Sequence, residues 1–161
     1  MSQFRVEKRR VEAELTLSSG ERLNGCFFLA TSSAMHPGPE RVVDLLNSEQ
    51  GFFPFETPPS VAAVMVNRHH LVVARLVGAS EEARLASGYD VATVRHVSVK
   101  LSNRAELRGT VRVYLPEGRD RLSDYARSTS ELFRYLESPD GTFVVNVDHI
   151  VQLSDLPEAP A

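Results

Sequence analysis

Val11, Ala13, Leu15 and Leu17 are apolar on alternate positions, with Glu12, Glu14 and Thr16 between them. This period of two predicts a strand with one face buried. Ser18-Ser19-Gly20 turns the chain and Leu23–Leu29 returns it, which predicts a hairpin with Gly25 marking a bulge or sharp bend. Met35–Glu40 reads as a loop from its Pro and Gly content. Arg41–Ser48 reads as a short helix with Asp44 as its candidate cap, and Phe52, Phe53 and Phe55 as an aromatic strand. After a turn at Thr57–Ser60, the Val-rich segments Val61–Val66 and Leu71–Leu76 predict a hairpin around Asn67–His70. Ser80–Ala86 predicts a two-turn linker helix that Gly88 ends.

The same order then recurs. Leu17-Ser18, Leu23 and Gly25 match Leu101-Ser102, Leu107 and Gly109; Arg41, Asp44, Ser48 and Phe53 match Arg121, Asp124, Ser128 and Phe133; Val66-Asn67, His70 and Val72 match Val145-Asn146, His149 and Val151. Three blocks in one order predict an internal duplication, built as two barrels or one merged sheet rather than a solenoid. The second copy accordingly predicts strands at Val97–Leu101 and Leu107–Leu115, a helix at Leu122–Ser128, an aromatic strand at Leu132–Leu136, and a closing hairpin of Phe143–Val147 and His149–Leu153. The expected organisation is a first unit at 1–77, a linker at 78–90, a second unit at 91–154 and a disordered tail at 155–161. Units this small are marginal alone, so they are expected to pack on each other.

Composition narrows the functional classes. The net charge of −3 over 161 residues is no nucleic-acid footprint, although a local basic patch remains compatible with it. With Cys26 as the one cysteine, an intrachain disulfide and a cysteine-based zinc site are excluded, which fits a cytoplasmic protein. The start MSQFRVEKRR lacks the apolar run of a secretory signal, and no apolar stretch approaches the ~18 residues of a membrane span.

The segments VSVKLSNRAELRGTV (Val97–Val111) and FVVNVDHIVQL (Phe143–Leu153), with LTLSSGERLNG and VMVNRHHLVVARL in the first copy, resemble the Sm-like small barrel, which includes the Hfq-type RNA chaperones. Other SH3-like barrels share the pattern. The chain is also similar to an uncharacterised bacterial domain type with an RxxDxLN, FF, VNxxHI pattern, which supplies no activity. The resemblance implies a mainly β protein of two tandem small barrels with short inserted helices, able to join edge to edge. It also implies nucleotide contact for the turn histidines, since in Hfq-type proteins that turn carries a histidine near bound RNA.

Candidate binding residues are therefore Asn67, His70, Asn146 and His149 in the turns, and the pairs Arg41 with Asp44 and Arg121 with Asp124. Each has a plainer reading: Asn favours turns because it bonds its own backbone, and Asp serves a helix start. Asp, His and Ser occur in both copies, but no nucleophile elbow accompanies them, so no catalytic residue is assigned and a hydrolase is only a remote alternative. His36, His69, His70, His96 and His149 form no close ligand set with carboxylates, and no glycine-rich phosphate loop is present, so neither metal nor cofactor is expected. Cys26 reads as a buried thiol, the phenylalanines as core, and Arg5, Lys8, Arg9 and Arg10 as a solvated face. The expected function is a non-catalytic adaptor that recognises a protein partner or itself, with single-stranded RNA binding as the alternative.

Overall fold

In a computed structural model, residues 8–32, 38–48, 51–58, 63–78, 82–128 and 131–157 are described. Among them the chain is mainly β, with strands β1 (Lys8–Leu17), β2 (Arg22–Ala30), β3 (Phe52–Glu56), β4 (Ala63–Asn67), β5 (Leu71–Leu76), β6 (Thr93–Leu101), β7 (Glu106–Val113), β8 (Phe133–Ser138), β9 (Gly141–Asn146) and β10 (Ile150–Asp155). Two short helices, α1 (Val42–Leu46) and α2 (Leu122–Arg127), precede β3 and β8. Arg5, the loop at 33–37, Ser80, Glu81, Val61 and the tail from 158 lie outside the described residues.

All ten strands form one antiparallel sheet in the order β10-β6-β7-β8-β9-β5-β1-β2-β3-β4. The two halves use the same internal order, and β5 of the first pairs with β9 of the second. The expectation of two tandem barrels is therefore met only in its coarser part. Five strands per half are present, but they run on as one sheet that is not closed. The physical reason is that each half leaves a strand edge with unpaired backbone groups, and merging the halves satisfies one edge of each.

The segments expected to close each half as a hairpin do not pair. β4 lies beside β3 and β5 beside β1, at opposite ends of the first half, and β9 and β10 separate likewise. Single 3-10 turns, Arg68–His70 and Val147–His149, join them. A tight hairpin needs positive φ at its turn residues. Here the flanking Asn67 and Leu71 stay extended and no turn residue has positive φ, so the strands leave at an angle. The linker is also 3-10 rather than α-helical, at Glu82–Leu85 and Tyr89–Val91, with Gly88 left-handed at φ 80° between them. β10 runs to Asp155, which pairs with Val97.

Gly25 carries no bulge, for the β1–β2 ladder runs through it without a register shift. Its role is close approach: a Cβ there would lie 1.8 Å from the Glu56 carbonyl oxygen, and one at Gly109 would lie 2.4 Å from that of Glu137. The glycines are where β2 meets β3 and β7 meets β8, which lets the sheet coil sharply over its core.

Two apolar clusters form the core. One gathers Leu15, Phe27, Phe55, Leu46 and Leu71 with Phe133 and Val144 from the second half; the other joins Val97, Val99 and Val111 to Val72 and Val73 of the first. Each core thus borrows side chains from the opposite half. Buried Glu82 adds a polar tie, accepting bonds from Arg9 (3.0 Å), the Val42 backbone N–H (3.2 Å) and the Tyr135 hydroxyl (2.9 Å). Arg9, expected on a solvated face, is held here instead.

Burial, and then the Glu82 carboxylate, push the Tyr135 phenol far above its ordinary range, and burial raises Tyr125. The fold therefore holds protons that the unfolded chain releases near pH ~10. That stabilisation is complete below the unfolded value and falls as pH rises beyond it. Denaturant midpoints should fall steadily as pH rises above about 10, and Tyr135→Phe should flatten the fall.

Candidate functional site

The repeated Asn and His residues sit at the two 3-10 turns, each with a serine from the opposing β-turn. Asn67 Oδ1 accepts from the His69 N–H at 3.0 Å, and Asn146 Oδ1 from the Asp148 N–H at 2.9 Å, so each asparagine caps its turn. His70 Nδ1 lies 2.7 Å from the Ser18 hydroxyl and His149 Nδ1 lies 2.8 Å from that of Ser102. Backbone N–H groups of Ser18 and Ser102 also donate to the carbonyls of His70 and His149, both at 2.8 Å. Each Ser–His pair is thus a two-point latch between the β1–β2 or β6–β7 turn and the 3-10 turn. The paired leucine-serine steps were visible in the sequence, but nothing there tied them to the histidines.

Here the two turns part company. Asn146 is completely buried, and its Nδ2 donates to the carbonyls of Leu71 (2.9 Å) and Arg68 (3.5 Å) in the first half. His149 Nε2 lies 2.9 Å from the His69 carbonyl, which only accepts, so Nε2 donates there while Nδ1 meets the Ser102 hydroxyl. The second-half turn is therefore part of the junction between halves. Among the described residues, the matching atoms of the first-half turn, Asn67 Nδ2 and His70 Nε2, make no such bond.

The junction continues along β5 and β9, in the register Val73↔Val145, Ala74↔Val144 and Arg75↔Phe143. Asn47, just beyond α1, clamps the Phe133 backbone, accepting from its N–H at 2.8 Å and donating to its carbonyl at 3.0 Å. The positions matching this junction elsewhere in the chain are open. Val144 is fully buried, whereas Met65 in β4 is 60% exposed; Val72 is fully buried, whereas Val151 in β10 is 65% exposed. Val64 and Phe52 are exposed beside Met65. This apolar edge was not singled out from the sequence, because alternation marks a strand without saying what lies beside it.

The Arg–Asp pairs are elsewhere and hold helix starts. The Asp44 carboxylate accepts from the Arg41 N–H at 2.8 Å, and Asp124 from that of Arg121 at 3.1 Å. The expected cap is thus reversed: the aspartate reaches back to the N–H three residues earlier instead of serving one turn ahead. Arg41 also bonds Asp44 through its side chain at 2.9 Å, and Arg121 meets Asp124 at 3.3 Å.

A cavity of about 330 Å³ opens beside the linker, lined in part by Arg41, Arg112, Arg134, Tyr114, Tyr125 and Glu137. Its cations are engaged by the protein. Arg112 stacks 3.9 Å over the Tyr89 ring and meets Glu137 at 3.8 Å; Arg134 donates to the carbonyls of Tyr125 and Ser128. Among the described residues no group of three or more His, Cys, Asp or Glu side chains has metal-binding geometry. Cys26 is half-buried rather than buried, and burial, with Glu12 and Glu56 nearby, pushes its thiol up and away from the reactive thiolate. Among the described residues no helix is long and apolar enough to cross a membrane. No family model, curated protein or solved structure was found to match the chain.

Proposed function

We propose that the protein is a non-catalytic binding module, two duplicated small β units of the Sm-like or SH3-like kind fused through their edges, which recognises protein chains by strand addition at β4 and β10. The observation that carries this reading is the exposed edge strand Ala63–Asn67, whose AVMVN sequence has no charge and no proline and leaves Val64 and Met65 open. Soluble β proteins ordinarily blunt such edges with charge, proline or a covering element. An edge left unblunted supports a partner strand there. The RNA alternative draws less support, because Asn146 and His149 spend their side-chain bonds inside the chain.

A photo-crosslinking residue placed at position 65, with one at Arg121 as control, tests the reading in cells. Protein adducts from position 65 exceeding those from position 121 are expected. Salt-sensitive anisotropy changes with short single-stranded RNAs, abolished by His70→Ala with His149→Ala, would instead move the function to RNA.

A further inference from the structure

The structure assigns the partner of these edges as a second copy of the same chain: the β10 edge of one copy pairs with the β4 edge of the next, repeating head to tail the junction that already joins β5 to β9. This rests on the edge-binding reading above and names its occupant.

The argument is one of unmatched halves. The molecule contains one worked example of how a β5-type edge and its 3-10 turn receive a β9-type edge and its Asn/His turn. Because β4 matches β9 and β10 matches β5, the chain ends its sheet with one unused member of each kind. Carried over residue by residue, the internal register becomes Gln152↔Val66, Leu153↔Met65 and Ser154↔Val64. The side chains this would cover include Met65, Val64 and Val151, all exposed here. Val144 and Val72, the counterparts of Met65 and Val151, are fully buried in the internal junction, and Phe143, the counterpart of Val64, is half-buried.

The hydrogen bonds carry over as well. Asn67 Nδ2 would donate to the carbonyls of Ile150 and Val147 of the second copy, as Asn146 does to Leu71 and Arg68. His70 Nε2 would donate to the Asp148 carbonyl, as His149 does to that of His69. This gives a use for two donors that each half retains and only the second half employs. One position breaks the correspondence: Asn47, the backbone clamp, is matched by Arg127, which donates but cannot accept. The contact between copies is therefore weaker than the one within the chain. Because unlike edges meet, the contact is heterologous and repeats around a closed ring or along an open filament.

Light scattering after size exclusion, across micromolar concentrations, reads the assembly. Wild type is expected above monomer mass. Met65→Lys blocks β4 and Val151→Lys blocks β10, both at positions exposed in the single chain, so each is expected to fold and to run as a monomer. Mixed in equal amounts they retain one good edge of each kind and should form a dimer that goes no further. Asn67→Ala should weaken association roughly tenfold, the loss of a hydrogen bond. A wild-type monomer at every concentration, variants that still associate, or a mixture that stays monomeric each overturns the assignment. If the wild type is monomeric while position 65 still crosslinks to other proteins, the edge-binding reading survives; without either signal, both are lost.

Discussion

Gly25→Ala is expected to lower the unfolding free energy by about 3 kcal/mol, the upper range for overpacking. The added carbon would sit 1.8 Å from the Glu56 carbonyl oxygen, 2.8 Å from its carbon and 2.9 Å from the Phe55 ring. Two of these neighbours are backbone and cannot swing aside. β3 must retreat, and it is joined to β2 by only two aligned pairs, Cys26↔Glu56 and Phe27↔Phe55. The retreat also disturbs the edge-on stack of Phe27 and Phe55, whose centroids are 5.2 Å apart. For a chain of this size the loss corresponds to about 6–12 °C in melting temperature. Gly109→Ala, where the clash is milder at 2.4 Å, should cost about 2 kcal/mol. Thermal unfolding followed by circular dichroism reads both, and a shift of a degree or two for Gly25→Ala would show that β3 is free to move.

Asn146→Ala is expected to cost about 3 kcal/mol, because it strands buried groups rather than removing a contact alone. The side chain is completely buried and serves the Asp148 N–H and the carbonyls of Leu71 and Arg68, in both halves at once. The matching Asn67→Ala loses only a turn cap, at about 1 kcal/mol. Both are best measured by urea denaturation in a Met65→Lys background, where association does not add to the stability. Equal costs for the two asparagines would argue against the junction role of Asn146.

Much of the strand content could be read from alternation. β1 follows it closely, with Ala13 and Leu15 in the core. β6 follows it at Val97, Val99 and Leu101, although Ser98 between them is buried as well, and in β2 the apolar run Cys26–Leu29 buries Phe27 and Leu29 most fully. The correspondence between Gly25 and Gly109 also marked a real constraint, although close approach and not a bulge explains it. What the pattern could not reveal is which strand lies beside which. β4 and β5 are separated by three residues and still diverge, because pairing depends on the φ values of Arg68–His70, which composition does not display. The Asn and His residues were found by their recurrence. Their unequal roles were not, since identical letters sit once inside a junction and once on a free edge. Asp44 and Asp124 were placed at the right helix starts with the wrong N–H as partner.

The pairing of β5 with β9 has a consequence for how the chain emerges from the ribosome. The first half is complete when β5 appears, and at that moment β4 and β5 are both open edges. The strand that covers β5 follows only after β6, β7, α2 and β8 have been made. In that interval a neighbouring nascent chain can supply its β4 in place of β9, a domain-swapped misassembly of the kind that multi-unit proteins risk. Glu82 bears on this hazard. Placed immediately after the first half, it bonds Arg9 and the Val42 N–H, both upstream of it, so the linker is anchored to the first half before the second exists. That anchoring directs the later strands back toward their own β5, and translation speed through residues 82–140 becomes a variable on which the yield of correctly paired protein depends.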